Sequence, residues 1–337
     1  MENVSSGTLA ALCGLGIGAV VGAAALVSNF CALGAVADIL FAKDWRRMRA
    51  WMLAAGVALL GTQGLDAAGL IHIEALLALP VLWLPAVIGG ICFGFGMSLA
   101  GGCVNRALVR LGAGSLKSLA TVLAVGIAAA VTAVGVLAPV NAALARWGSL
   151  DLLIAPQAVR WIVTAVVAGG LIGFCLKDAW FRASRDQLAA GFIIGAMIPA
   201  AWLASEGTEA LNFVAPLGDF LMAITLQRAA PIFGMAAVLG VPLGAFIAAA
   251  VTRNLALETF TNRADLGRHL AGAVLMGFGG TLTLGCTFGQ GLSGMSTLSL
   301  TAVIAVAAIL FGCLWGIRYF EAEGVWAGLK LTLKRGV

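Results

Sequence analysis

The feature that most constrains this chain is the length of its uncharged runs. No Asp, Glu, Lys or Arg interrupts residues 3–37, 75–105, 118–145, 229–252 or 269–317. A helix needs about 20 apolar residues to cross a bilayer, so such runs exclude an ordinary water-soluble domain. Only 10% of the 337 residues are charged, against about 25% in soluble domains. The 45 glycines follow no Gly-x-y period and suit helices packed closely in lipid. The excess of five positive charges needs no nucleic acid to explain it.

Cutting the runs at their charges and at the Gly/Ser/Thr-rich piece 277–299 gives nine expected spans. They are 8–28, 49–70, 79–99, 116–139, 158–177, 187–205, 230–252, 268–284 and 297–318. The chain begins Met-Glu-Asn, with no basic n-region, so the first run is expected to stay as a helix. Cytoplasmic loops carry an excess of Lys and Arg. Nine crossings put only Arg146, Arg160 and Arg228 on one side and the other seventeen of the 20 basic residues on the opposite side. The expected orientation therefore has the N-terminus outside and the C-terminus in the cytoplasm.

The two halves resemble each other. Gly94-Phe-Gly-Met-Ser-Leu-Ala-Gly-Gly-Cys103 aligns without a gap on Gly277-Phe-Gly-Gly-Thr-Leu-Thr-Leu-Gly-Cys286, and Asn29-Phe30 and Asp38 echo Asn212-Phe213 and Asp219. Span 1 matches span 6, five crossings later, so matched helices run antiparallel. The expected organisation is one integral membrane domain, 1–337. It divides into a first repeat at 8–140, a linking helix at 158–178 and an inverted second repeat at 187–320. Inverted repeats place transport sites near the bilayer midplane, at discontinuous helices. Four apolar or glycine-rich pieces are too short to cross: 29–42, 101–112, 211–227 and 285–295. Each reads as a re-entrant helix or, more blandly, as a surface loop. Backbone of this kind is tolerated at membrane depth only where protein buries it or water solvates it. The expected fold class is thus all-α, with about nine transmembrane and four re-entrant helices in an hourglass-like arrangement.

Catalytic apparatus is sparse. His72 and His269 read as interfacial residues, and no nucleotide-binding, zinc-protease or serine-hydrolase motif occurs. No cofactor or metal is expected, and the chain does not read as an enzyme. Asp38 and Asp219 read first as caps of short helices and second as pathway residues. The seven cysteines contain no CxxC pair and fit no zinc spacing. Cys13, Cys92, Cys175 and Cys313 fall inside spans and read as small hydrophobes, near neutral to substitution. Cys31, Cys103 and Cys286 differ, since each stands where a span meets a short segment. Gly101, Gly102 and Gly285 beside them let backbone N–H groups approach a ligand. Short-helix N-termini and soft, weakly donating thiols suit a soft sulfur-bearing anion. A hard cation would call for carboxylate oxygens.

At Gly101-Gly-Cys103, Gly285-Cys286-Thr-Phe-Gly289 and Asn29-Phe-Cys31-Ala-Leu-Gly34 the sequence resembles the YeeE/YedE family of bacterial inner-membrane sulfur-compound transporters. The resemblance covers essentially the whole chain. It implies thiosulfate uptake through an hourglass-shaped protein whose central cysteines, here Cys31, Cys103 and Cys286, hand the anion inward by transient S–H···S hydrogen bonds. It also implies a cytoplasmic TusA-like sulfur-carrier protein as partner. One departure stands out: Cys31 and Cys286 keep a CxxG pattern, whereas the middle run is Cys103-Val-Asn-Arg106. Arg106 reads as one more basic residue of the cytoplasmic side, or as an attractor of the anion at that mouth. The topology predicts that an incoming dianion meets Cys286 first, then Cys103 and Cys31. A membrane thiol/persulfide redox relay and a channel for another small anion are the alternatives.

Overall fold

The computed structural model describes residues 2–73, 76, 79–150, 156–226, 232–322 and 324–335. Apart from a two-residue antiparallel pairing of Val81–Leu82 with Ser149–Leu150, the regular structure among them is helical. In chain order it comprises α1 (Glu2–Ser28), α2 (Ala32–Ala37, prolonged by a π-helical turn Asp38–Ala42), α3 (Arg46–Ala67) and α4 (Trp83–Leu99). Then come α5 (Val104–Gly112), α6 (Leu116–Ala133), α7 (Ala138–Trp147), α8 (Gln157–Lys177) and α9 (Ala179–Ala183). The second part holds α10 (Arg185–Ala204), α11 (Ala215–Leu226), α12 (Ile232–Val251), α13 (Arg263–Leu282) and the π-helical α14 (Gly289–Gly294). It closes with α15 (Leu300–Ala322) and α16 (Val325–Arg335).

The protein is an all-α membrane protein, and among the described residues seven helices are long and apolar enough to cross a bilayer by length and composition. The α3 and α13 helices are as long, but each opens on a charged turn. The α13 start shows why a reading of uncharged runs places it too late. Asn262 caps the helix by accepting the Asp265 N–H at 2.8 Å, so the charged first turn is already helical. The α6 helix ends at Ala133, ahead of Gly135, and the Pro139 that opens α7. Arg228 lies outside the described residues.

The order long, short, long, long, short, long occurs twice, in α1–α6 and in α10–α15. Its packing is reciprocal: α1 lies on α12 and α3 on α10, while α4 lies on α15 and α13 on α6, with α4 against α13 between them. Glycines set these distances. A Cβ at Gly22 would run into the Val241 carbonyl oxygen, and one at Gly244 into that of Ala19. The α1–α12 backbones are thus in direct contact, the small-residue mode of packing in lipid.

Within these two runs each long helix that precedes a short one ends in the same way. Asn29, Gly101, Glu206 and Leu284 adopt left-handed backbone, with φ of 52°, 69°, 54° and 57°. The next residue's N–H then bonds five residues back, as Phe30 to Ala25 at 3.0 Å, Gly102 to Met97 at 2.9 Å, Gly207 to Trp202 at 2.8 Å and Gly285 to Gly280 at 2.8 Å. These are Schellman caps. They reverse the chain sharply and satisfy the last carbonyls, so the chain turns back without leaving them orphaned.

Candidate functional site

Two residues beyond three of those caps stand Cys31, Cys103 and Cys286. Each occupies the N-cap position of the short helical segment that follows. The Cys31 sulfur accepts the Gly34 N–H at 3.5 Å, and the Cys286 sulfur accepts the Gly289 N–H at 3.5 Å. Cys103 faces the Arg106 N–H in the same register. A thiol is a weak acceptor, so these contacts orient the sulfur without committing it. All three side chains are buried. Cys103 lies within electrostatic reach of Cys31 and of Cys286, and Phe30 beside Cys31 meets Phe288, two residues past Cys286, at 5.8 Å, so the cysteine turns of the two halves are neighbours. The Thr287 hydroxyl faces the Cys103 sulfur and, although buried, makes no hydrogen bond of its own.

An aromatic cluster surrounds this point. Phe30 stacks on Trp51 with ring centroids 4.5 Å apart, and Phe288 meets Phe30, Trp51 and Phe213 edge-on at 5.8, 5.3 and 5.4 Å. Phe30 and Phe213 precede the matched short helices of the two halves. The second short segment is further braced from both sides. Ser293 donates to the Leu211 carbonyl at 2.9 Å, and Trp202 Nε1 donates to the Ser296 hydroxyl at 3.3 Å. Gln63 donates to the Ser296 carbonyl at 3.1 Å.

The glycines beside the cysteines serve the backbone. Gly101 is the left-handed cap residue. Gly102, with φ of 156°, leaves room for the Arg106 stem: a Cβ there would stand 2.8 Å from Arg106 Cγ. Gly285 packs against the start of α14, where a Cβ would meet the Gln290 backbone nitrogen at 3.3 Å. Arg106 Nη2 donates to Asn29 Oδ1 at 3.2 Å.

Asp38 and Asp219, matched in sequence, have different surroundings. Asp38 forms an ion pair with Arg47 at 3.2 Å. Asp219 lines a cavity of about 520 Å³ that also takes in Glu209, Asn212, Leu284, Gly289 and Gln290. Burial pushes the Glu209 carboxyl up, against the Gly234 N–H that it accepts at 3.0 Å, and the negative charge of Asp219 pushes it further. The cavity thus reaches the CxxG turn of Cys286 from one end of the molecule.

The structure adds two features to the sequence reading. Cys313, read as a small hydrophobe, is fully buried. It lies within electrostatic reach of Cys31 and Cys103, and Ser98 Oγ is 3.9 Å from its sulfur and 3.0 Å from its carbonyl oxygen. The aromatic cluster was legible only in part, through the repeated Asn-Phe pair. Among the described residues no group of three or more His, Cys, Asp or Glu side chains is placed to hold a metal ion.

A model of a family described as sulphur transport matches residues 27–315. The thiosulfate transporter TsuA of Escherichia coli (strain K12) is 29% identical over 327 residues, covering 89% of this chain and 92% of that protein. The matched region contains every cysteine at the junctions and all four short segments.

Proposed function

The chain belongs to the sulphur-transport family, and from that premise we propose that it takes up thiosulfate, or a closely related sulfur anion, along a path lined by Cys31, Cys103 and Cys286. The observation that carries this reading is that three buried thiols stand at neighbouring helix-start turns drawn from both halves of the chain. The two halves act as inverted repeats. The basic ends of the helices face the cytoplasm, the N-terminus faces the periplasm, and the membrane is the bacterial inner membrane.

The anion enters the cavity between Glu209 and Gln290 and reaches the Cys286 turn. Gly285, Gly101 and Gly102 keep the turns narrow enough for the thiols to meet it. It passes next to Cys103 and Cys31, each contact a neutral S–H donor. Such contacts are weak and exchangeable, as conduction requires: entry is favourable and exit remains possible. Asp219 is a pathway residue at the outer mouth, whereas Asp38 holds the first short helix to Arg47. Arg106 marks the inner mouth. A cytoplasmic TusA-like sulfur carrier receives the anion beyond it.

The test is uptake of radiolabelled thiosulfate into membrane vesicles. Cys103→Ala and Cys286→Ala abolish it at equal expression, and wild-type uptake by both variants refutes the path. Cys103→Ser separates transport from a thiol/persulfide relay. A hydroxyl still donates a hydrogen bond but forms no persulfide, so retained uptake supports transport. A turnover-dependent persulfide found by mass spectrometry supports the relay.

A further inference from the structure

Both halves carry an asparagine and a cysteine at corresponding turns, and they differ at the third residue after that cysteine. An offset of 183 residues superposes Asn29 on Asn212, Cys103 on Cys286 and Arg106 on Gly289. At the second turn a Cβ on Gly289 would stand 3.1 Å from the Asn212 side-chain carbon, so asparagine and bare backbone already touch. The 520 Å³ cavity opens over that pair. At the first turn the glycine is replaced by Arg106, and its guanidinium lies on the Asn29 amide oxygen at 3.2 Å. The hollow on the other side of Arg106, walled by Gly101, Gly102, Arg110 and His269 and not by Asn29, measures only about 10 Å³. That is room for about one water.

Arg106 also differs electrostatically from several basic residues of this end. Arg47, Arg110 and Lys117 are each paired with a carboxylate, from Asp38, Glu258 and Asp265. Among the described residues Arg106 has no carboxylate partner, and its bond is to a neutral amide. A guanidinium can hold an oxyanion by two parallel N–H···O bonds with full opposite charge, whereas the neutral Asn29 oxygen takes one. A visiting dianion therefore competes well for this guanidinium. The stem is free to move with it, because Gly102 leaves no Cβ in its way.

We propose that Arg106 and Asn29 close the inner end of the path, and that the arriving anion opens it by drawing Arg106 away from Asn29. The proposal rests on the cysteine path described above and adds the device that keeps that path from standing open at both ends.

The experiment reads closure without using flux. Inside-out vesicles holding the full chain are treated with a membrane-impermeant maleimide, and modification of the Cys103 peptide is followed by mass spectrometry. Arg106→Gly, which restores the residue of the second turn, and Asn29→Ala each speed modification about tenfold, the scale of one hydrogen bond to a charged group. Arg106→Gln keeps a donor for the Asn29 oxygen but loses the charge. It leaves labelling slow and lowers thiosulfate uptake. Unchanged labelling in Asn29→Ala and in Arg106→Gly overturns the closure, and if Arg106→Gly does not insert, Asn29→Ala decides alone. Wild-type uptake by Arg106→Gln overturns opening by the anion. If the wild-type protein carries no thiosulfate, the substrate reading fails while the labelling still decides the closure.

Discussion

Arg160 of α8 and Asp66 of α3 form an ion pair at 2.5 Å with side-chain exposures of 6% and 9%, and the same guanidinium donates to Gln63 Oε1 at 3.2 Å. Gln63 in turn donates to Ser296, so the helix that links the two halves is tied through a buried polar chain to the segment that carries Cys286. Arg160 was expected at the outer end of the span 158–177; it lies in the first turn of α8, and its side chain faces inward.

Removing one partner of this pair leaves a buried charge uncompensated, at a cost of about 3–5 kcal/mol. Arg160→Leu and Asp66→Leu each lower the midpoint of thermal unfolding in detergent. The double variant recovers part of the loss, because it leaves no lone charge. Additive losses in the double variant contradict the coupling.

Lys117 of α6 and Asp265 of α13 meet at 2.9 Å, and this bond holds the Asp265 carboxyl below the usual carboxylate range. A depressed folded-state pKa contributes stability that is present above the unfolded value, about 3.9, and is lost as pH falls through the lowered one. Asp265→Asn is therefore less stable than wild type at neutral pH, and the difference narrows below about pH 4. Thermal unfolding measured across that range checks it. A difference that stays constant with pH rules the ion pair out as its cause.

Glu209 shares the outer cavity with Asp219, and its carboxyl is pushed up by burial and by that neighbour. As the external pH falls, Glu209 loses its charge sooner than an ordinary carboxylate, and an entering dianion meets less repulsion. Initial uptake by wild type rises on acidification, and Glu209→Gln, already neutral there, flattens the rise. A variant that keeps the full pH dependence excludes Glu209 as its source.

The α1–α12 contact has no room for a side chain at Gly244, where a Cβ would overlap the Ala19 carbonyl. At Gly16 a Cβ would meet nothing within 4 Å. Gly244→Val is expected to cost at least about 1–3 kcal/mol, the usual penalty of overpacking, and to lower the amount of folded protein. Gly16→Ala leaves it unchanged. Fluorescence size-exclusion chromatography of the two variants side by side gives the comparison.

How much of this was legible in the sequence follows from how each signal is stored. Span positions lie in the uncharged runs, because a bilayer core rejects charge wherever the helices later pack. The cysteine turns were legible because a Gly-Cys block recurs 183 residues later. The left-handed caps were legible at Gly101 but not at Leu284, where the same backbone is held by a residue that rarely adopts it. Helix starts with charged first turns, such as Arg263, were placed late because charge was read as the end of a helix when it was already part of one.

The sequence by itself determined an all-helical membrane chain, the positions of its short segments and the three junction cysteines, since these depend on local composition and on the recurrence of a motif. Only the tertiary structure decided that Asp38 pairs with Arg47 while Asp219 faces a cavity, that Cys313 is fully buried against Ser98, and that Arg106 lies on Asn29 where Gly289 leaves an opening. The physical reason is that a side chain's partner is set by helix crossings and cap geometry between segments far apart in the chain, and none of these is written in the few residues around it.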